Sequence, residues 1–289
     1  MPPAGPGAVS APFTAACITL CAGRDPAANV EAACGFIRDA AARGATFILT
    51  PENTLLMETD RARLFDIVKP EAETPAADTF SALARELAIW LSIGSMAVKV
   101  AGDGQAGDKV ANRSFLFAPD GRLAARYDKI HMFDVSLPGG EAYRESAHYR
   151  AGGAAVLADT DMGPVGLTVC YDLRFPALYR MLAQAGAMHL TVPSAFTRVT
   201  GEAHWHVLLR ARAIETGAFV FAAAQSGRHE TGRETYGHSL IVDPWGEVLA
   251  DGGTAPGVVL AAIDPARSAE ARARIPAIDT EAAFTLTRA

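Results

Sequence analysis

Apolar residues along this chain fall into short runs separated by stretches with helical spacing, and the alternation predicts the fold class. Residues 14–21 (TAACITLC) are apolar with β-formers and read as a buried strand. Asp25-Pro26 then supplies a helix start, an N-cap followed by proline at the first helical position. Val30, Ala33, Phe36 and Ile37 recur at helical spacing until Gly44, and 46–49 (TFIL) read as a second buried strand. A strand–helix–strand unit of this kind builds largely parallel sheets.

The pattern continues with a helix over 79–88, a strand over 89–98 and a polar, Gly-rich loop over 101–108. A hairpin follows, 112–117 and 123–127, across the turn residues Pro119-Asp120-Gly121. Residues 134–150, with Pro138, Gly139 and Gly140, read as irregular, and strands are expected over 155–159 and 163–170. The second half predicts helices over 176–185, 202–215 and 265–274 and strands over 188–192, 219–224 and 257–263. A further hairpin pairs 239–242 with 247–250. The two halves share a loosely similar order of elements, which predicts an α/β four-layer α-β-β-α sandwich. No linker breaks the pattern, so one domain is expected from 14 to 289, after a flexible extension over 1–13.

Composition narrows the function. Half of the 289 residues are hydrophobic, enough for a continuous core, and the net charge of −6 comes without any basic tract suited to a nucleic acid backbone. No uninterrupted apolar stretch approaches a membrane span. The first thirteen residues carry neither lysine nor arginine, unlike a signal peptide, so the cytoplasm is expected. Of the four cysteines, Cys17, Cys21 and Cys34 read as small buried hydrophobes, and no second Cys or His pair stands at metal-binding spacing.

Three segments place reactive residues just beyond apolar strands, where side chains converge in α/β folds. Glu52 in TPEN reads as a general base or a solvated loop carboxylate; Lys129 in RYDKIH reads as a surface charge or, if buried beside a carboxylate, an oxyanion-stabilising ammonium. Cys170 in GLTVCYDLRF reads as an inert thiol or as a nucleophile presented by a strained turn. His131 leaves a Cys–His pair open as an alternative.

Taken in order, PEN, YDKIH and CYDLRFP resemble the nitrilase superfamily of carbon–nitrogen hydrolases, over about residues 14 to 263. The resemblance implies Glu52, Lys129 and Cys170 as the catalytic glutamate, lysine and cysteine, with Glu145 in YRES as the family's second glutamate. PSAFT at 193–197, the run from 200 to 229 and YGHSLIVDPWGEVLA at 236–250 resemble the branch that includes deaminated glutathione amidase, with the omega-amidases as near neighbours. The reaction implied is hydrolysis of a small-molecule amide to acid and ammonia through a thioester. Nitrile or N-carbamoyl amine hydrolysis is the alternative chemistry, and a non-catalytic scaffold a remote one. No metal or organic cofactor is implied. The Tyr171 N–H is expected to share the oxyanion with Lys129. Arg174 is expected to bind a substrate carboxylate or to form a structural ion pair, and Phe196 and Thr197 to line the same pocket. The resemblance also implies a homodimer or larger homo-oligomer, to which the apolar content of the helices from Pro176 and Glu202 adds a hint. The chain departs from the family after Ile275-Pro276, where AIDTEAAFTLTRA replaces an arginine-rich tail.

Overall fold

The computed structural model describes residues 10–100, 109–137, 140, 142–280 and 282–288. In the first sheet, β1 (Phe13–Thr19), β2 (Phe47–Leu49) and β3 (Trp90–Val100) are the parallel centre, continued antiparallel by β4 (Lys109–Phe117) and β5 (Leu123–Asp128). A short hairpin, β6 (Asp134–Ser136) and β7 (Ala142–Arg144), leads to the second sheet. There β8 (Val156–Ala158), β9 (Val165–Leu167), β10 (His189–Thr191) and β11 (Phe219–Ala222) follow, with β9 to β11 parallel. A second hairpin, β12 (Ser226–Arg228) and β13 (Glu234–Tyr236), precedes β14 (Leu240–Val242) and β15 (Val248–Asp251), while β16 (Gly257–Ile263) crosses back to pair with β1. The spatial orders are β16-β1-β2-β3-β4-β5 and β15-β14-β11-β10-β9-β8.

Side chains two apart along a strand share a face, and that period sorts the strands into layers. Ala16, Ile18 and Ile48 pack with Ala33 and Ile37 of α1 (Pro26–Ala42). Leu64 of the short α2 (Arg61–Ile67) and Phe80 and Leu83 of α3 (Pro75–Leu87) join them. The alternate residues Ala15, Cys17, Phe47 and Leu49 meet Phe219, Phe221 and Ile241 of the other sheet. Beyond that sheet, Val220 and Ala222 pack with Leu178 and Leu182 of α4 (Pro176–Gln184) and Trp205 and Leu209 of α5 (Arg198–Thr216). The result is the expected helix–sheet–sheet–helix sandwich, with α6 (Ala266–Arg274) at the end of the chain.

Several elements differ from the sequence expectation. Helix α3 starts at Pro75 rather than near 79, and α5 starts at Arg198 rather than 202, because the Thr197 hydroxyl caps it by accepting from the Thr200 N–H. A β-branched pair and Gly201 in that first turn hide the helical pattern. Strand β9 stops at Leu167, and Cys170–Arg174 is a 3₁₀ turn instead of a strand end. The seven-residue α2, capped by Asp60, and the β12–β13 hairpin have no expected counterpart, and part of the irregular 134–150 is the β6–β7 hairpin. The Gly-rich loop at 101–108 and residues 1–9 of the N-terminal extension lie outside the described residues, as do Pro138 and Gly139.

Candidate active site

Each reactive side chain sits just past a strand and is held by a local device. Glu52 follows β2 in a loop clamped under an irregularity of β3 between Ile93 and Met96. There the Gly94 N–H donates to Thr50 Oγ1 at 3.0 Å and the Asn53 N–H to Ser95 Oγ at 3.0 Å. Only glycine fits at 94, since a Cβ would lie 2.1 Å from the Thr50 carbonyl oxygen. Lys129 follows β5, its backbone N–H bonded to the Asn112 carbonyl at 2.9 Å.

Cys170 opens the 3₁₀ turn with φ of 51°, in the left-handed region that L residues rarely occupy. Its N–H donates to the Pro193 carbonyl at 2.9 Å. Buried Asp172 holds the turn by accepting from the Val169 N–H at 2.9 Å, the Tyr127 hydroxyl at 2.7 Å and the His131 N–H at 3.0 Å. One carboxylate thus ties the turn of Cys170 to the strand end of Lys129. The His131 ring also bonds Asp172, at 2.7 Å, and stacks on Phe175. It is committed there, so the Cys–His alternative is not the arrangement formed.

The charged groups converge. Lys129 Nζ lies 2.9 Å from Glu52 Oε1 and 2.9 Å from Glu145 Oε2, with the lysine side chain 2% exposed. Asn112 Nδ2 donates to Glu52 Oε1 at 2.9 Å and to Glu145 Oε1 at 3.3 Å. The Ala195 N–H donates to Glu52 Oε2 at 2.9 Å, and the Phe133 N–H to Glu145 Oε2 at 2.7 Å. Glu52 also lies beside the Cys170 thiol, close enough for the two groups to shift each other's proton affinity, and both line the same cavity.

Burial, then the neighbouring Glu52 charge, pushes the Cys170 thiol well above its usual range. Burial also works against charge on Glu52, but the Lys129 charge, the Cys170 contact and the lysine hydrogen bond together hold its carboxyl below the ordinary value. For Lys129 desolvation is likewise outweighed by Glu145 and Glu52, and its ammonium is held well above the usual value. The resting site therefore pairs a neutral thiol with a carboxylate and an ammonium.

These groups open onto a cavity of about 340 Å³ lined by all eight residues singled out from sequence: Glu52, Lys129, Glu145, Cys170, Tyr171, Arg174, Phe196 and Thr197. Thr197 is almost wholly buried in its helix cap and its hydroxyl meets Thr200 Oγ1 at 2.9 Å. Arg174 lies over the Phe196 ring and contacts His204 Nδ1 at 3.3 Å, with no carboxylate in ion-pair range among the described residues. Sequence reasoning missed Asn112, the Ala195 N–H and Arg233. Arg233 also lines the cavity, donates to the Ala195 carbonyl, lies over the Tyr143 ring and likewise faces no carboxylate partner among the described residues. An asparagine inside an apolar strand was the available signal for Asn112; Arg233 carried none.

A fold of this topology with a buried Glu–Lys–Cys centre defines a class of hydrolase, and comparison with known proteins places the chain in it. The chain belongs to the carbon–nitrogen hydrolase family, whose model matches residues 14–273. It is 39% identical over 270 residues to a protein of Synechocystis sp. (strain PCC 6803 / GT-S) named deaminated glutathione amidase, covering 92% of this chain and 97% of that one. It is 38% identical over 248 residues to Homo sapiens "Omega-amidase NIT2", covering 86% and 87% respectively. Saccharomyces cerevisiae Nit3, described as a member of branch 10 of the nitrilase superfamily, superposes with a TM-score of 0.80 at 28% identity, covering 93% of this chain and 96% of that chain. The chain is an amide-hydrolysing enzyme with the nitrilase-type sandwich.

Proposed function

We propose that Cys170 attacks the carbonyl carbon of a small, carboxylate-bearing amide and that the reaction runs through a thioester within the 14–289 domain. The observation that carries this is one carboxylate, Glu52, bonded to Lys129 Nζ at 2.9 Å and set beside the Cys170 thiol. Direct attack by water on an amide is slow, and a thiolate divides the reaction into two easier steps. Glu52 takes the thiol proton as Sγ bonds to carbon, then delivers it to the departing nitrogen. Lys129 Nζ and the Tyr171 N–H hold the oxyanion; one such donor is worth about 2.7–4 kcal/mol of barrier. Glu52 next takes a proton from water, the hydroxide attacks the thioester, and the proton returns to Sγ as the acid leaves. Glu145 fixes the lysine and faces the substrate nitrogen. The chemistry draws on no metal or organic cofactor.

Two relatives are named deaminated glutathione amidase and omega-amidase, and the guanidinium groups of Arg174 and Arg233, neither in ion-pair range of a carboxylate among the described residues, suit a substrate carboxylate. We take deaminated glutathione as the first candidate. Its scissile nitrogen carries a cysteinylglycine unit, so that dipeptide, and not the ammonia expected from sequence, is the leaving amine. Ammonia is the product from alpha-ketoglutaramate, the omega-amidase alternative. The test is steady-state turnover of both, with a nitrile and an N-carbamoyl amine as controls, following the new amine or acid. Arg174→Gln should raise KM for the keto-acid amides at least about tenfold, as expected for a charged hydrogen bond, while sparing a neutral amide. Equal effects on both would refute the carboxylate role.

Met181, Val207 and Ile214 on α4 and α5 are 60%, 68% and 54% exposed, and we assign these helices to contact with a second copy of the chain. A homodimer in sedimentation that Val207→Glu dissociates is the expected result. All four cysteines are unpaired, which suits a thiol enzyme of the reducing cytoplasm. No helix among the described residues is long and apolar enough to cross a membrane.

A further inference from the structure

Three side chains with metal-ligating atoms meet outside the cavity. His206 comes from the middle of α5, His238 from the connection between β13 and β14, and Asp251 from the end of β15. Their ligand atoms all lie within 4.8 Å of one another. Asp251 Oδ2 is 3.1 Å from His206 Nε2, and Asp251 Oδ1 is 2.9 Å from His238 Nδ1. We propose that His206, His238 and Asp251 bind a divalent transition metal, with zinc the best match to their donor atoms, and so clip α5 to β15.

Zinc bonds to imidazole and carboxylate are about 2.0–2.2 Å, and tetrahedral angles then set ligand atoms about 3.3 Å apart. The two separations to Asp251 are already within a few tenths of an ångström of that edge. Two imidazoles and one carboxylate favour zinc, copper or nickel over calcium or magnesium, which take oxygen ligands. The three side chains are 34%, 23% and 36% exposed, leaving a face for water as the fourth ligand.

The supports are in place around the cluster. The His238 N–H bonds the Gly253 carbonyl at 2.6 Å, and its own carbonyl accepts from Trp205 Nε1, next to His206, at 2.8 Å. Asp251 Oδ1 also accepts from the Gly253 N–H at 2.9 Å, and the Tyr236 ring stacks on His238 at 4.5 Å. The His238 backbone sits at φ of 57°, a conformation that histidine and asparagine accept more readily than most residues. On binding, each ligating nitrogen gives up its hydrogen bond to Asp251 and the imidazole carries its single proton on the other nitrogen. No net proton need leave a neutral ring.

The test is calorimetric titration of chelator-treated full-length protein with zinc chloride, alongside the absorption spectrum with cobalt(II). One equivalent per chain is expected, with no thiolate charge-transfer band. His206→Gln, and His238→Asn, which keeps a residue suited to the left-handed backbone, should each weaken binding at least about tenfold without changing turnover. Cys170→Ser and Cys21→Ser should keep it; Cys21 Sγ lies 3.8 Å from His229 Nδ1 and is the competing soft site. Undiminished zinc affinity in both histidine variants, loss of binding in a cysteine variant instead, or no saturable uptake by the wild-type chain would each overturn the assignment.

Discussion

Cys17 and Cys170 are both buried in this enzyme, and in both the thiol is pushed well above its ordinary range chiefly by burial. Cys17 lies in regular β1 between the sheets, among Ala15, Phe47 and Phe221. Cys170 sits on a left-handed backbone turn at the cavity wall, beside Glu52 and within the field of Lys129. Burial alone makes a thiol inert. What distinguishes Cys170 is a neighbouring carboxylate, which in the proposed mechanism takes its proton as the carbon–sulfur bond forms, and space for the carbonyl to arrive.

The largest expected effect sharpens that contrast. Cys170→Ser should lower turnover by at least about 10³-fold with little change in melting, because the proposed nucleophile would act with its base as a unit. Cys17→Ser should leave turnover within about twofold yet destabilise by about 1–3 kcal/mol, the usual cost of burying a hydroxyl among apolar groups. Steady-state rates and thermal melts of the two variants decide it; matching losses of turnover would erase the distinction.

Lys129→Met should act on both rate and stability. It leaves the Glu52 and Glu145 carboxylates without their shared ammonium in a buried place, at a cost of about 3–5 kcal/mol, and removes the proposed oxyanion donor, worth about 10²–10³ in kcat. The pH response has a definite sign. With its folded value held below 4.5, the Glu52 carboxylate contributes stability that is complete above that pH and is lost as pH falls through the folded value. Without Lys129 the acid limb of kcat/KM should move to higher pH, and an unmoved limb would show that Glu52 is not the group that titrates.

The smallest effect belongs to the layer of Cys17. His189 packs against Phe13, Phe219 and Phe221, its Nε2 donating to the Met162 carbonyl at 2.9 Å, and burial lowers its pKa from 6.5 to about 4. Below pH 6.5 the unfolded chain takes a proton that the folded chain refuses until about 4, so stability falls over that window and then levels. The loss is on the order of 3 kcal/mol. His189→Phe should flatten this dependence, at a neutral-pH cost of about 1 kcal/mol for the lost hydrogen bond, and leave kcat unchanged. Denaturant titrations at pH 7 and pH 4.5 measure it.

The two-residue and helical periods of apolar side chains were legible without tertiary information, because burial on one face of a strand or helix is a local demand. They set the α/β class, the four layers and the placement of Glu52, Lys129 and Cys170 just beyond strands. Local signals failed where the cause was distant. Helix α5 begins early because Thr197 caps it, and β9 ends short because Asp172, held by Tyr127 and His131, bends the chain at Cys170. Glu52 and Lys129 are 77 residues apart, and the Ala195 N–H that bonds Glu52 is 143 away. His206, His238 and Asp251 show no metal spacing along the chain and meet only through the packing of α5 on the second sheet. The sequence by itself determined which residues could react and which elements would carry them. Only the tertiary structure decided which carboxylate lies beside the thiol and which cations meet no carboxylate among the described residues, since both depend on burial and on distances between groups that the chain holds far apart.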